Sequence, residues 1–198
     1  YGIPSAPNSA NNTQRGVKFE ANVSLGVVAA INISPVGQGF GGDYRLHFDL
    51  WLNANGPFPA GGTGSTQHGT AGVGTAGNRT QWSGAGSTAD GVWFGVDAEG
   101  QASDATPDFR AQIGAALQAS NSGVYAAGLG PSARRCSDTY YTAKFPGGQT
   151  APAAQNQSGS LAAGTIGFAW RDVFIDKTGN VVTFTIDGLK IATITNTL

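Results

Sequence analysis

The chain has 198 residues, only 12% of them charged, and a formal net charge of -1, so it carries no field that would gather nucleic acid or an anionic membrane surface. It contains no run of about 18 apolar residues, the length a membrane-inserted helix needs. Gly at 31 positions, with Val, Ile, Phe and Trp at intervals, fits an all-β protein with generous loops, and the length suits one such domain.

The sequence has no Met and starts at Tyr1, so it reads as a processed product or an excised domain, with a removed signal peptide as the simplest account. Low charge and the missing Met favour an extracellular or cell-surface location. The single Cys136 allows no internal disulfide and reads as a buried, inert thiol.

In chain order, residues 1–16 are polar and rich in Pro and Asn, and are expected to form an extended arm ahead of a single domain over 17–198. Val17, Phe19, Ala21 and Val23 alternate with polar residues, which predicts a half-buried strand, and 27–33 predicts another, stopped by Ser34-Pro35. The glycine-dense loop 37–42 precedes a strand rather than a helix, so it is no phosphate loop. That strand, 44–53, sends Leu46, Phe48, Leu50 and Leu52 to one face and Arg45, His47, Asp49 and Trp51 to the other. An indole that stacks on a sugar's C–H face, beside charged groups that bond its hydroxyls, is the mixture a carbohydrate site needs. The plainer reading is an exposed Arg45–Asp49 pair with Trp51 under a loop.

Short strands are expected near 67–74 and 79–83 within a Gly/Thr/Ser-rich stretch. His68 reads as an ordinary histidine, since the chain has only 2. The next strand alternates Val92, Phe94 and Val96 with Trp93, Gly95, Asp97 and Glu99. Trp93, Asp97 and Glu99 therefore join Arg45, His47, Asp49 and Trp51 as candidate carbohydrate-binding residues. Glu99, Asp104 and Asp108 lie in a loop whose hard oxygen ligands suit Ca²⁺, although the spacing matches no twelve-residue calcium loop. Phe109, Ile113 and Leu117 allow either a short helix or a strand. Residues 120–164 are turn-rich and enclose a strand-like SDTYYTAKF. Tyr125, Tyr140 and Tyr141 there suit either a groove edge or a core cap.

The last stretch, 170–194, has the clearest pattern. Asp187-Gly188 predicts a primed hairpin turn with Ile186 opposite Leu189, Phe184 opposite Ile191 and Val182 opposite Thr193. A four-residue turn at Lys177–Asn180 sets Ile175 opposite Val182 and Val173 opposite Phe184. All the apolar residues then share one face, and the meander needs a second sheet to cover it.

A Trp with a valine three positions on, a turn, an alternating strand and Asp-Gly before a short last strand resembles the closing segment of laminin-G-like domains of the concanavalin A-like lectin and glucanase superfamily. Segments 44–67 and 90–100 are similar to strands and loops of secreted bacterial members. The resemblance implies an antiparallel two-sheet β-sandwich of jelly-roll type; it does not select one activity, because the superfamily holds lectins, binding modules, glucanases and adhesion domains. It also implies a comparison with glucanases that carry an acidic triad on alternate positions of one strand, here Asp97, Glu99 and Gln101. The amide in third place cannot act as an acid, and carboxylates two residues apart lie about 7 Å apart, more than the about 5–5.5 Å of a retaining pair.

Three functional expectations follow. The first is a secreted, lectin-like module that binds a glycan without catalysis. The second is a self-assembling surface-layer or filament subunit, with the arm or edge strands packing on copies of the chain. The third is a glycoside hydrolase.

Overall fold

The computed structural model describes residues 1–9, 16–21, 30–59, 68–82, 84, 86–100 and 107–195. It is an all-β sandwich of two four-stranded antiparallel sheets. Strand β1 (Tyr44–Trp51) joins β6 (Trp170–Thr178), β7 (Val181–Ile186) and β8 (Leu189–Thr195) in the order β1-β6-β7-β8. The second sheet runs β2 (His68–Val73), β3 (Val92–Asp97), β4 (Phe109–Ile113) and β5 (Ala116–Leu117) in that order. Among the described residues the helical content is a single turn, α1 (Thr139–Thr142), and two short 3-10 turns.

The core lies between the sheets and follows the period of two. Val92, Phe94 and Val96 of β3 meet Val173 and Ile175 of β6 and Val182, Phe184 and Ile186 of β7 in one buried cluster. Phe94 and Phe184 stack across the gap with ring centroids 4.9 Å apart, which adds about 0.5–1.5 kcal/mol to their burial.

The closing meander has the expected core face on a different register. The first turn is two residues long, because Thr178 pairs with Val181, and Ile175 therefore faces Phe184 instead of Val182. That is a slip of two, which leaves every side chain on its predicted face. The Asp187-Gly188 turn forms as expected, with φ of 50° and 78° and Ile186 opposite Leu189. Beyond it the register shifts between Phe184 and Thr185, so Phe184 faces Ala192, and Val182 faces Ile194. This bulge buries Ile191, Ala192 and Ile194 together.

Other expectations change. Residues 17–21 and 30–33 form no strand, and Val17, Phe19, Ile31 and Ile33 are exposed; the remaining positions of those two predicted strands lie outside the described residues. Residues 79–82 also form no strand. The loop there folds around the Asp90 carboxylate, which accepts from the Thr75 hydroxyl at 2.5 Å, the Ala76 N–H at 3.0 Å and the Gln81 amide at 3.1 Å. Phe109–Ile113 takes the strand alternative. The strand-like SDTYYTAKF is helical instead: the Asp138 carboxylate caps α1 by accepting from the Tyr140 N–H at 2.9 Å, and Tyr141 is buried against Phe109.

The arm over residues 1–9 lies on its own sheet. The Asp49 carboxylate accepts from the Asn8 backbone N–H at 2.9 Å and from its side-chain amide at 2.7 Å, and the Trp170 indole donates to Pro4 O at 2.8 Å.

Candidate binding cleft

The seven carbohydrate-site candidates fall into two places that do not meet. Arg45, His47, Asp49 and Trp51 lie on the outer face of β1, and each is engaged within the chain. Arg45 makes a two-pronged contact with Asp176 at 2.6 and 3.0 Å, and its guanidinium sits over the Phe174 ring. His47 contacts Asp172 at 2.5 Å and stacks on Phe174. Asp49 holds the arm, and Trp51 packs edge-on against Trp170 with centroids 5.6 Å apart. The Arg45–Asp49 pair expected from spacing does not form, because β6 sets Asp176 directly opposite Arg45, while Asp49 faces Asp172 and bonds Asn8.

Trp93, Asp97 and Glu99 are on the other sheet and are buried, at 1%, 5% and 1% exposure. Alternation places Trp93 and Asp97 away from the core, but that face is not in water. The Cys136 N–H donates to the Asp108 carboxylate at 2.6 Å, the Gly167 N–H donates to Ala98 O at 3.1 Å, and Gly100 lies against Thr165 and Cys136. The Trp93 indole donates to Gly114 O at 2.7 Å. These three residues therefore present no surface to a sugar.

Beneath this cover lies a buried acid cluster. Burial, then the Asp97 charge, pushes Glu99 up to about 9, and burial raises Asp97 as well. Burial pushes Asp108 up to about 6, against the opposing Cys136 N–H. His68, opposite Asp97 in the ladder, falls to about 3 through burial and the nearby Arg110. Cys136 is buried as expected, and burial holds its thiol well above the ordinary range. In the acidic-triad and calcium readings, Gln101 and Asp104 lie outside the described residues. Among the described residues no His, Cys, Asp and Glu group is placed to hold a metal ion.

The open site is elsewhere. A cleft of about 940 Å³ lies where β1 ends, between loop 55–57 and loop 154–158, with Tyr1 at its side. Its walls are braced by amides. Gln157 donates to Ala54 O at 2.8 Å and accepts from the Gly56 N–H; Gln155 donates to Asn53 Oδ1 at 3.0 Å and to Tyr1 O at 3.3 Å. Asn53 Oδ1 also takes the Trp51 indole N–H at 2.9 Å. Ala54, Phe58, Leu161 and Phe168 form a small second core cluster that fixes the loop above it. The 3-10 turn Ala153–Gln155 ends at Asn156, whose φ of 51° turns the chain along the cleft wall.

Among the described residues none of the lining side chains is a carboxylate, imidazole, thiol or cation, although Lys18 and Glu20 contact the lining residue Tyr1. The cleft offers amides, a hydroxyl and one phenol ring, which donate and accept neutral hydrogen bonds beside an aromatic face. Sequence reasoning missed it because Asn55 stands 100 residues from Gln155 and its neighbours Asn156 and Gln157, and all four read as loop filler. The available signal was the recurrence of amides beside Pro and Gly in NANGPFP and APAAQNQ.

No family model, curated protein or solved structure matches this chain.

Proposed function

We propose that the protein is a non-catalytic binding module for a neutral, hydroxyl-rich ligand of the glycan class, carried on a concanavalin A-like jelly roll and working outside the cell. The observation that carries this reading is the amide-lined cleft beside Tyr1. Braced amides lose little freedom when they bond a ligand, and they match the paired donors and acceptors of adjacent hydroxyls. The Tyr1 ring at the side carries the Lys18 ammonium on one face, 3.9 Å from its centroid, and its other face suits the C–H face of a pyranose. The absence of acid–base groups among the lining side chains favours binding over turnover.

A screen of the purified chain against neutral oligosaccharides, followed by calorimetric titration of the best binder, tests the reading. Tyr1→Ala and Asn156→Ala are expected to weaken binding at least tenfold, while Arg45→Ala on the far part of β1 leaves it unchanged. Binding that survives both cleft substitutions, or no binding to any neutral glycan, sinks the proposal.

A further inference from the structure

Among the described residues, the β1 side of the first sheet has an edge with no backbone partner. The outer edge of β8 is covered, since Val124 O accepts from Thr193 N–H at 2.9 Å and Ala126 N–H donates to Ile191 O at 2.9 Å. Strand β1 has β6 on one side and, among the described residues, no backbone partner on the other. Its apolar row shows the consequence. Leu46 is 37% exposed and Phe48 and Leu50 are only partly buried, although they face the core side. Behind this row a void of about 10 Å³ lies between the sheets, where Phe48 and Leu50 meet Gly69, Phe94 and Phe184.

The chain also holds a segment with the complementary defect. In Val17–Ala21, Val17 is 69% and Phe19 48% exposed, while Lys18 and Glu20 are tied back to Tyr1: the Lys18 ammonium sits 3.9 Å from the ring centroid, and the Tyr1 hydroxyl donates to Glu20 at 2.5 Å. The alternation is that of a strand, yet the segment is in none.

We propose that the open edge of β1 takes residues 17–21 of a second copy as an added antiparallel strand. One register satisfies both faces. With Phe19 opposite Phe48, Val17 meets Leu50 and Ala21 meets Leu46 on the core side, while Lys18 meets Asp49 and Glu20 meets His47 on the outer side. A shift by one residue would put Phe19 among the charges. The backbone ladder supplies affinity, and the alternate side chains fix the register. The occupant is a second copy because the chain's own segment is held at Tyr1, beside the cleft, with its apolar side chains turned to solvent. This inference is independent of the glycan reading and stands or falls without it.

Sedimentation velocity across a hundredfold range of concentration tests it, with Phe19→Asp as a donor-dead variant and Leu46→Asp as an acceptor-dead one. Wild type is expected to associate with concentration, and each variant alone to stay monomeric. An equimolar mixture regains one intact interface and gives a 1:1 complex. Both substitutions are at exposed positions, and thermal melts check that each variant folds. If Leu46→Asp does not fold, a second donor variant, Val17→Asp, must also abolish association. A wild type that remains monomeric throughout, donor variants that associate like wild type, or a folded pair that fails to complement overturns the proposal.

Discussion

Replacing Glu99 by Gln isolates the buried acid pair. The folded protein holds the Glu99 proton up to about pH 9, whereas an unfolded chain releases it near the ordinary 4.5. Between those values the folded state binds the extra proton, so stability falls as pH rises, by about 1.4 kcal/mol per pH unit. From pH 5 to pH 8 the fall amounts to at most about 4 kcal/mol. Asp108, raised to about 6, adds to it at the lower end, while His68, lowered to about 3, opposes it below about pH 6.5; both act in wild type and variant alike. With a urea slope of about 2 kcal/mol/M, the wild-type unfolding midpoint should drop by up to about 2 M over that range. Glu99→Gln keeps a donor toward Asp97 in its amide and has no proton to lose. Its midpoint should fall less steeply with pH than that of wild type, the difference between the two slopes being the Glu99 contribution. Urea titrations at pH 5, 6, 7 and 8, followed by tryptophan fluorescence, measure both. Equal slopes for the two proteins between pH 6.5 and 8 would refute the assignment of a retained proton to Glu99.

Gly164 has φ of 86°, and a Cβ there would lie 1.8 Å from Cys136 O, so Gly164→Ala should lose at least about 2 kcal/mol, read as a lower melting temperature. Phe184→Ala removes a ring that is 2% exposed and stacks across both sheets, and a loss of about 3–5 kcal/mol in denaturant titration is expected. Asp49→Ala cuts both hydrogen bonds from Asn8; global stability should change by less than about 1 kcal/mol, while limited proteolysis within residues 1–9 accelerates severalfold.

The sequence made the faces of the sandwich readable where turn chemistry and alternation agree. Val173, Ile175, Val182, Phe184 and Ile186 were recoverable because an error of two residues in the first turn does not change a face. The bulge beside Ile191 was not recoverable, since Ile191 and Ala192 are both apolar and alternation alone cannot choose which one opposes Phe184. Trp93, Asp97 and Glu99 misled for a different reason. Period two tells the two faces of a strand apart, but it does not tell which faces meet water, and here the turn-rich 134–136 and 165–167 segments cover the second face. On β1 the same inference succeeded for exposure, yet the groups that consume Arg45 and His47 come from β6, more than 120 residues away. The cleft was illegible because its chemistry is carried by ordinary amides, which become a site only when two loops and the first residue converge.

The edge-on pair Trp51–Trp170 links the two mobile questions about this protein to one optical signal. One indole bonds Pro4 O in the arm; the other bonds Asn53 Oδ1, which also braces the cleft through Gln155. Indoles 5.6 Å apart at 63° couple strongly enough to give the near-ultraviolet circular dichroism a signature of their own. Displacing the arm would perturb it from the Trp170 side, and a ligand bound in the proposed cleft from the Trp51 side, so one label-free spectrum would read both tests.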